Sequence, residues 1–209
     1  MAKKGLLIVI SGPSGAGKGT ICKELLKKED LWVSVSATTR SPRKGEENGV
    51  HYFFLNKDEF NERIEKDDFL EYAKVHQNLY GTPKSSVLEK INNGNNVILE
   101  IDIQGALKVK ETYPEGIFIF ILPPSMEELK NRIINRGSET AETLMIRFKA
   151  AYKEINYVSK YNYAVVNDTV EDAVNKVRSI ILAESCRVDR MKDTILASKE
   201  EFIHEQFYD

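Results

Sequence analysis

The stretch Leu6-Leu-Ile-Val-Ile10, Ser11-Gly12-Pro-Ser-Gly15-Ala-Gly17-Lys18-Gly19-Thr20 joins a short apolar run to a glycine-rich turn and a lysine. Apolar residues without alternation read as a strand covered on both faces. The glycines let the backbone wrap closely around a polyphosphate, with successive N–H groups pointing inward. A helix predicted from Lys18 adds the positive end of its dipole, and Lys18 itself adds a full charge for the β- and γ-phosphates. The spacing is that of a phosphate loop, G-x-x-x-x-G-K, with one departure. Gly19 stands where a metal-coordinating hydroxyl is usual, and Thr20 comes one place late. Either Thr20 takes part in holding Mg²⁺ or water completes the metal's shell. Gly12, Pro13, Ser14, Gly15, Ala16, Gly17, Lys18, Gly19 and Thr20 are therefore the expected nucleoside-triphosphate site.

Three further apolar runs, Val97–Ile101, Ile117–Leu122 and Tyr163–Val166, repeat the pattern of the first, and Val33–Ala37 is a candidate fifth strand. Helical stretches lie between and after them at Lys18–Lys28, Ile103–Tyr113, Ser125–Arg136, Thr140–Val158 and Val170–Arg187. Strands alternating with helices imply an α/β fold, a parallel sheet flanked by helices on both faces. Residues 38 to 96 break this rhythm with a basic turn, a strand candidate Val50–Leu55, an acidic helix Lys57–Lys66 and an aromatic segment Phe69–Tyr80. Such a section reads as an inserted subdomain, from which the helix Ser85–Asn92 leads back to the sheet. Past Arg187, apolar Val188, Met191, Ile195 and Phe202 fall near one helical stripe, as in a helical tail docking on its own domain or on a neighbouring subunit.

A length of 209 residues bounds the chain to one domain. Thirty Lys and Arg against 32 Asp and Glu leave a net charge of −2, so nothing global argues for a nucleic-acid or membrane partner. No run approaches the roughly 18 apolar residues of a membrane span, and the N-terminus lacks a cleavage pattern. The expected compartment is the cytoplasm. Cys22 and Cys186 make no disulfide framework, and His51, His76 and His204 are too scattered for a zinc site.

A second anionic site is expected near residue 40. Arg40 and Arg43 lie three apart beside Pro42, which stiffens the backbone between them. Two guanidinium forks so held suit one dianionic phosphate. Tyr52 and Tyr80 are placed to donate hydroxyls to the same oxygens, and Glu46 to orient an arginine. Two phosphate sites in one chain mean a donor and an acceptor, hence phosphoryl transfer.

The blocks GPSGAGKGT, SVSATTRSPRKGEENGVHYFF, FLEYAKV, LYGTP, LEIDIQGA, LPPSMEELKNRIINRG and VVND, in order from residue 6 to about 187, resemble the guanylate kinases, which phosphorylate GMP. The resemblance implies a P-loop fold with a five-stranded parallel core (residues 1–37 and 84–209), an inserted GMP-binding subdomain (38–83) and a lid (about 136–147). Residues 188–209 are left as the helical tail of one guanylate-kinase-like domain spanning 1–209.

The resemblance also distributes roles. Ser36, Glu71 and Thr82 fall at the positions that read guanine: a carboxylate accepts from N1–H and N2–H₂ while hydroxyls serve O6. Arg40, Arg43, Tyr52 and Tyr80, with Glu46 behind them, correspond to the ligands of the GMP phosphate. Asp102, at the end of a buried strand, is implied near the guanine and the magnesium water network, with Glu100 as a supporting carboxylate. Arg132, Arg136 and Arg147 resemble arginines that close over the transferring phosphoryl group, as such chemistry requires charge neutralisation. Asn167 and Asp168 match the region that meets the adenine of ATP. The implied reaction is ATP + GMP to ADP + GDP with Mg²⁺. Lys18, Arg40, Asp102, Arg132, Arg136 and Arg147 are the residues expected to carry it. Use of dGMP and homo-oligomerisation are left open. Two rivals stand beside this reading. A non-catalytic scaffold module is opposed by the intact phosphate loop, and an adenylate-type kinase by Glu71 with Ser36 and Thr82.

Overall fold

The first strand, β1 (Leu7–Ser11), carries Ile8 and Ile10 on one face and Leu7 and Val9 on the other, and each face meets its own apolar layer. The computed structural model describes residues 4–75, 77–134, 141–192, 195, 196 and 199, with backbone alone at 141–144. β1 is followed by α1 (Lys18–Lys28) and β2 (Leu31–Val33). Next come β3 (Ala37–Thr38), β4 (Phe53–Phe54), α2 (Lys57–Glu65), β5 (Phe69–Val75) and β6 (Asn78–Pro83). α3 (Lys84–Asn92), β7 (Asn96–Glu100), α4 (Ile103–Thr112) and β8 (Ile117–Leu122) lead to α5 (Met126–Ile134) and α6 (Ala141–Ile155). A 3-10 turn (Asn156–Lys160), β9 (Tyr163–Val166) and α7 (Val170–Ser185) follow.

β2, β7, β1, β8 and β9 lie side by side in that order, all parallel, so the expected five-stranded α/β core is present. On one face Ile8, Ile10, Ile98 and Ile119 pack with Ile21 and Leu25 of α1 and Val174 and Val177 of α7. On the other, Leu7, Val9, Val97 and Leu99 meet Val87 and Ile91 of α3 and Val109 of α4. Ile8, Val9, Ile10, Ile98 and Ile119 are fully enclosed, each stabilising the fold by about 1.5–3 kcal/mol. The chain leaves β1 toward one edge of the sheet and leaves β8 toward the other. Ligands of such sheets enter at that reversal, outside the carboxyl ends of the strands.

A second sheet, in the order β4, β3, β6, β5, has its own small core of Ala37, Phe60 and Phe69, with the two phenyl rings stacked at 4.6 Å. Its helix α2 starts at Asn56, whose side chain accepts from the Glu59 N–H while the Glu59 carboxylate returns the bond. The expected strand Val33–Ala37 is divided between the sheets. β2 ends at Val33, and Ser34 N–H still reaches Ile98 O at 3.0 Å. The polar Ser34-Val-Ser36 then carries the chain across, and Ala37 pairs with Gly81 and Phe53 instead. Of the candidate Val50–Leu55 only Phe53–Phe54 is a strand, because the backbone turns at Gly49, whose N–H bonds Tyr52 O.

Glu184, near the end of α7, is 4% exposed yet accepts from Tyr163 Oη of β9 and from Arg190 at 2.9 Å. Arg190 also donates to Glu115 O, so this carboxylate ties the start of the tail to the sheet. Most of the tail beyond it (193, 194, 197, 198 and 200–209) lies outside the described residues. Glu184→Ala strands a guanidinium and a phenol at once and is expected to lower unfolding free energy by about 2–4 kcal/mol. Urea denaturation checks this, and a change below about 0.5 kcal/mol, typical of surface positions, would refute the anchoring role.

Candidate active site

The turn between β1 and α1 closes tightly because two of its glycines accept what no other residue does. Gly12 has φ +141°, and a Cβ there would lie 2.3 Å from Ile121 O. Gly17, with φ +95°, caps α1, and a Cβ there would meet Asn167 Nδ2 at 2.2 Å. Lys18 Nζ donates to Gly12 O at 2.7 Å and to Pro13 O at 3.1 Å, across the mouth of the loop.

Asn167, just past β9, is 3% exposed and donates Nδ2 to Ala16 O at 2.8 Å. Its side chain therefore buttresses the phosphate loop, a role that no local pattern in the sequence signals. Arg132 of α5 donates to Asn167 O at 3.2 Å and to Glu128, and Arg147 of α6 donates to Ser14 Oγ at 2.7 Å. Of the three expected arginines, Arg147 thus reaches the loop directly and Arg132 reaches Asn167, the residue that buttresses it. Arg136 and the polar stretch 137–140 of the expected lid lie outside the described residues.

A cleft of about 210 Å³ runs from Lys18, at the carboxyl ends of the core strands, to the second sheet. Seven of the expected residues line it: Lys18, Ser36, Tyr52, Glu71, Tyr80, Glu100 and Asp102. Val75, Gly81, Ile101 and Gly105 also line it and were not anticipated. At the far end Glu71, 7% exposed, accepts from Thr82 Oγ1 at 2.7 Å. Burial pushes its carboxyl up to about 7; the Thr82 bond opposes the rise and the charge of Asp102 adds to it. Asp102 caps α4, accepting from Gly105 N–H at 3.1 Å.

On the second sheet Glu46 takes both forks of Arg40, at 2.9 and 3.0 Å, and the Arg43 N–H at 2.7 Å. The Arg40 bond holds the Glu46 carboxyl below its usual range, and the same bond raises the Arg40 guanidinium. Arg40 also stands over the Tyr52 ring at 5.4 Å, and Tyr52 meets Tyr80 edge-on at 6.0 Å. Burial raises the Tyr52 phenol, so it stays a hydrogen-bond donor at neutral pH. Arg43 is exposed, its backbone held by Glu46. Near the phosphate loop, a Cβ on Gly19 would come 3.3 Å from Glu100 Oε1. Gly19 therefore admits the Glu100 carboxylate to the place beside the loop lysine. Thr20 sits exposed in the first turn of α1.

The family profile described as Guanylate kinase matches residues 4–184. The chain belongs to the guanylate kinase family. It is 74% identical to a guanylate kinase of Clostridium acetobutylicum, over the whole of both chains. A guanylate kinase of Caldanaerobacter subterraneus is 65% identical over 96% of this chain and 98% of that one. The crystal structure of guanylate kinase from Anaplasma phagocytophilum superimposes with a TM-score of 0.78 at 34% identity, covering 91% of each chain. The guanylate kinase fold thus carries the phosphate loop and the Glu71 end of the cleft on two different sheets. No helix among the described residues is long and apolar enough to cross a membrane.

Proposed function

We propose that this chain transfers the γ-phosphoryl group of ATP to the phosphate of GMP, giving ADP and GDP. The reading rests on one observation: a single cleft joins Lys18 of the phosphate loop to the buried Glu71–Thr82 pair. Guanine offers N1–H and N2–H₂ to the carboxylate and O6 to hydroxyls such as Ser36, whereas adenine leaves the carboxylate unpaired. A site built to hydrogen-bond one base rejects another by ~10⁴-fold or more.

Arg40, Arg43, Tyr52 and Tyr80 are assigned to the GMP phosphate, with Glu46 presenting the first arginine. Residues 12–20 hold the ATP phosphates, with Asn167 behind them. A phosphate oxygen of GMP attacks the γ-phosphorus in line as the bond to the β–γ bridging oxygen breaks. Lys18 and the loop amides receive the charge that moves onto ADP, while Arg132, Arg136 and Arg147 neutralise the group in transit. No side chain has to take a proton, because a phosphate monoester with a second pKa of about 6 is mostly ionised at neutral pH. Glu100 and Asp102 face the same cleft as Lys18, oxygen donors that suit a hydrated Mg²⁺ carried mainly by the triphosphate, with Thr20 as a further candidate. When bound, the ion would offset the charge of the donor phosphates. These small-molecule substrates fit a cytoplasmic enzyme.

Coupled detection of ADP with Mg·ATP and each of GMP, AMP, CMP and UMP tests the proposal. Turnover with GMP alone is expected. Turnover with AMP instead would keep phosphoryl transfer and discard the guanine assignment. Silence with all four from folded protein would overturn the activity.

A further inference from the structure

Gly105 lies inside α4, three residues past the Asp102 cap, where glycine is the poorest helix former other than proline. Its backbone is plainly helical, so the conformational freedom of glycine is not what the position needs. The missing side chain is. A Cβ at Gly105 would stand 2.7 Å from Glu71 Oε2 and 3.1 Å from its Cδ. Carbon and oxygen do not approach so closely without one of them moving. Helix α4 is packed into the core through Ile103, Ala106 and Val109, whereas Glu71 meets Gly105 with the end of a flexible side chain. Glu71 would move.

We infer that Gly105 is a specificity-positioning residue: its bare Cα lets the Glu71 carboxylate sit against α4, with Thr82 on its other oxygen, in the one place from which it reads the base. The inference rests on the proposed guanine reading for the identity of that base, and on this structure for the contact. It gives one glycine two jobs, because its N–H also donates to Asp102 Oδ1. That bond survives an alanine, whereas the space does not. A lone glycine within a predicted helix is itself a signal that something approaches closely.

Gly105→Ala, Glu71→Ala and the double variant form a cycle measured with GMP, AMP and ATP. Gly105→Ala is expected to raise KM for GMP about 10–100-fold, as for a displaced buried hydrogen-bonding group, with KM for ATP within about twofold. Its melting temperature should hold or rise, since alanine is the better helix former. The inflection that Glu71 places in the pH profile of kcat/KM should move toward the ordinary carboxylate range as the group leaves its buried seat. In the Glu71→Ala background the same substitution should cost less than about twofold, because nothing remains for the methyl to displace. Additive losses would overturn the inference and make Gly105 a space for the nucleotide itself. Unaltered GMP kinetics in Gly105→Ala would overturn it too. Should Gly105→Ala fail to fold, recovery of the fold in the double variant places the clash at Glu71, and failure of both overturns it. A wild-type preference for AMP would refute the guanine reading alone, and the cycle run on AMP still tests the contact.

Discussion

Lys18→Ala is expected to lower kcat by about 10³-fold or more, the scale set by removing a preorganised charge from phosphoryl transfer, while the protein stays folded. The lysine stands in the mouth of the phosphate loop, its Nζ bonded to Gly12 O and Pro13 O. Those are backbone carbonyls of buried residues, but Lys18 itself is half-exposed, so water can follow the lost ammonium at a cost of about 1 kcal/mol. No such substitute exists when charge gathers on the β–γ bridging oxygen. The helix dipole of α1 supplies only a partial charge, and the guanidinium that bonds the loop, Arg147, comes from another element and is held at Ser14 Oγ. Steady-state turnover of GMP with Mg·ATP, beside a circular dichroism spectrum, decides the matter. A folded Lys18→Ala protein within tenfold of wild type would remove the phosphate loop from the chemistry.

The loop and its sheet were legible because their causes are local. A strand enclosed on both faces must be continuously apolar, as Ile117–Leu122 is, whereas Tyr163–Val166 occurs where its run ends but lies at the sheet edge with only Val165 buried. The second sheet was harder, since β3 and β4 are only two residues each, too short for any period to show. Glu71 is an instructive case. In β5 the buried positions alternate through Phe69, Glu71 and Ala73, so a carboxylate occupies the apolar face of its strand. That misplaced charge was visible in FLEYAKV without any relative to compare, although the sequence reading assigned it by resemblance. The contacts of Asn167 with Ala16 and of Gly105 with Glu71 join residues far apart in the chain; the lone glycine in a helix signals a close approach, but nothing local names the partner in either case.

Glu71→Gln should raise KM for GMP by about 10²-fold with little change for ATP, since a carboxamide turns one donor toward a base that also donates. Its effect on the unliganded protein should be opposite in sign. The carboxyl titrates at about 7 in the fold against an ordinary 4.5. Below pH 4.5 both folded and unfolded chains carry the proton and the contribution to stability is full. As pH rises the unfolded chain ionises first, so the contribution is lost as pH climbs through 7. At pH 8 the folded protein therefore bears a buried charge, and Glu71→Gln should stabilise it by on the order of 2–3 kcal/mol, an advantage that fades below pH 5. GMP reverses the balance, because its guanine donors favour the ionised carboxylate. Binding at pH 7 should then release roughly half a proton in wild type, beyond any change in the phosphate, and that part should vanish in Glu71→Gln. Calorimetry in buffers of different ionisation enthalpy reads the proton count, and urea denaturation at pH 5 and 8 reads the stability. A site that binds tightly only when charged, yet is steadier when neutral, gives up stability for the choice of base. Equal losses for GMP and ATP, or no gain in stability at pH 8, would place Glu71 outside the recognition of guanine.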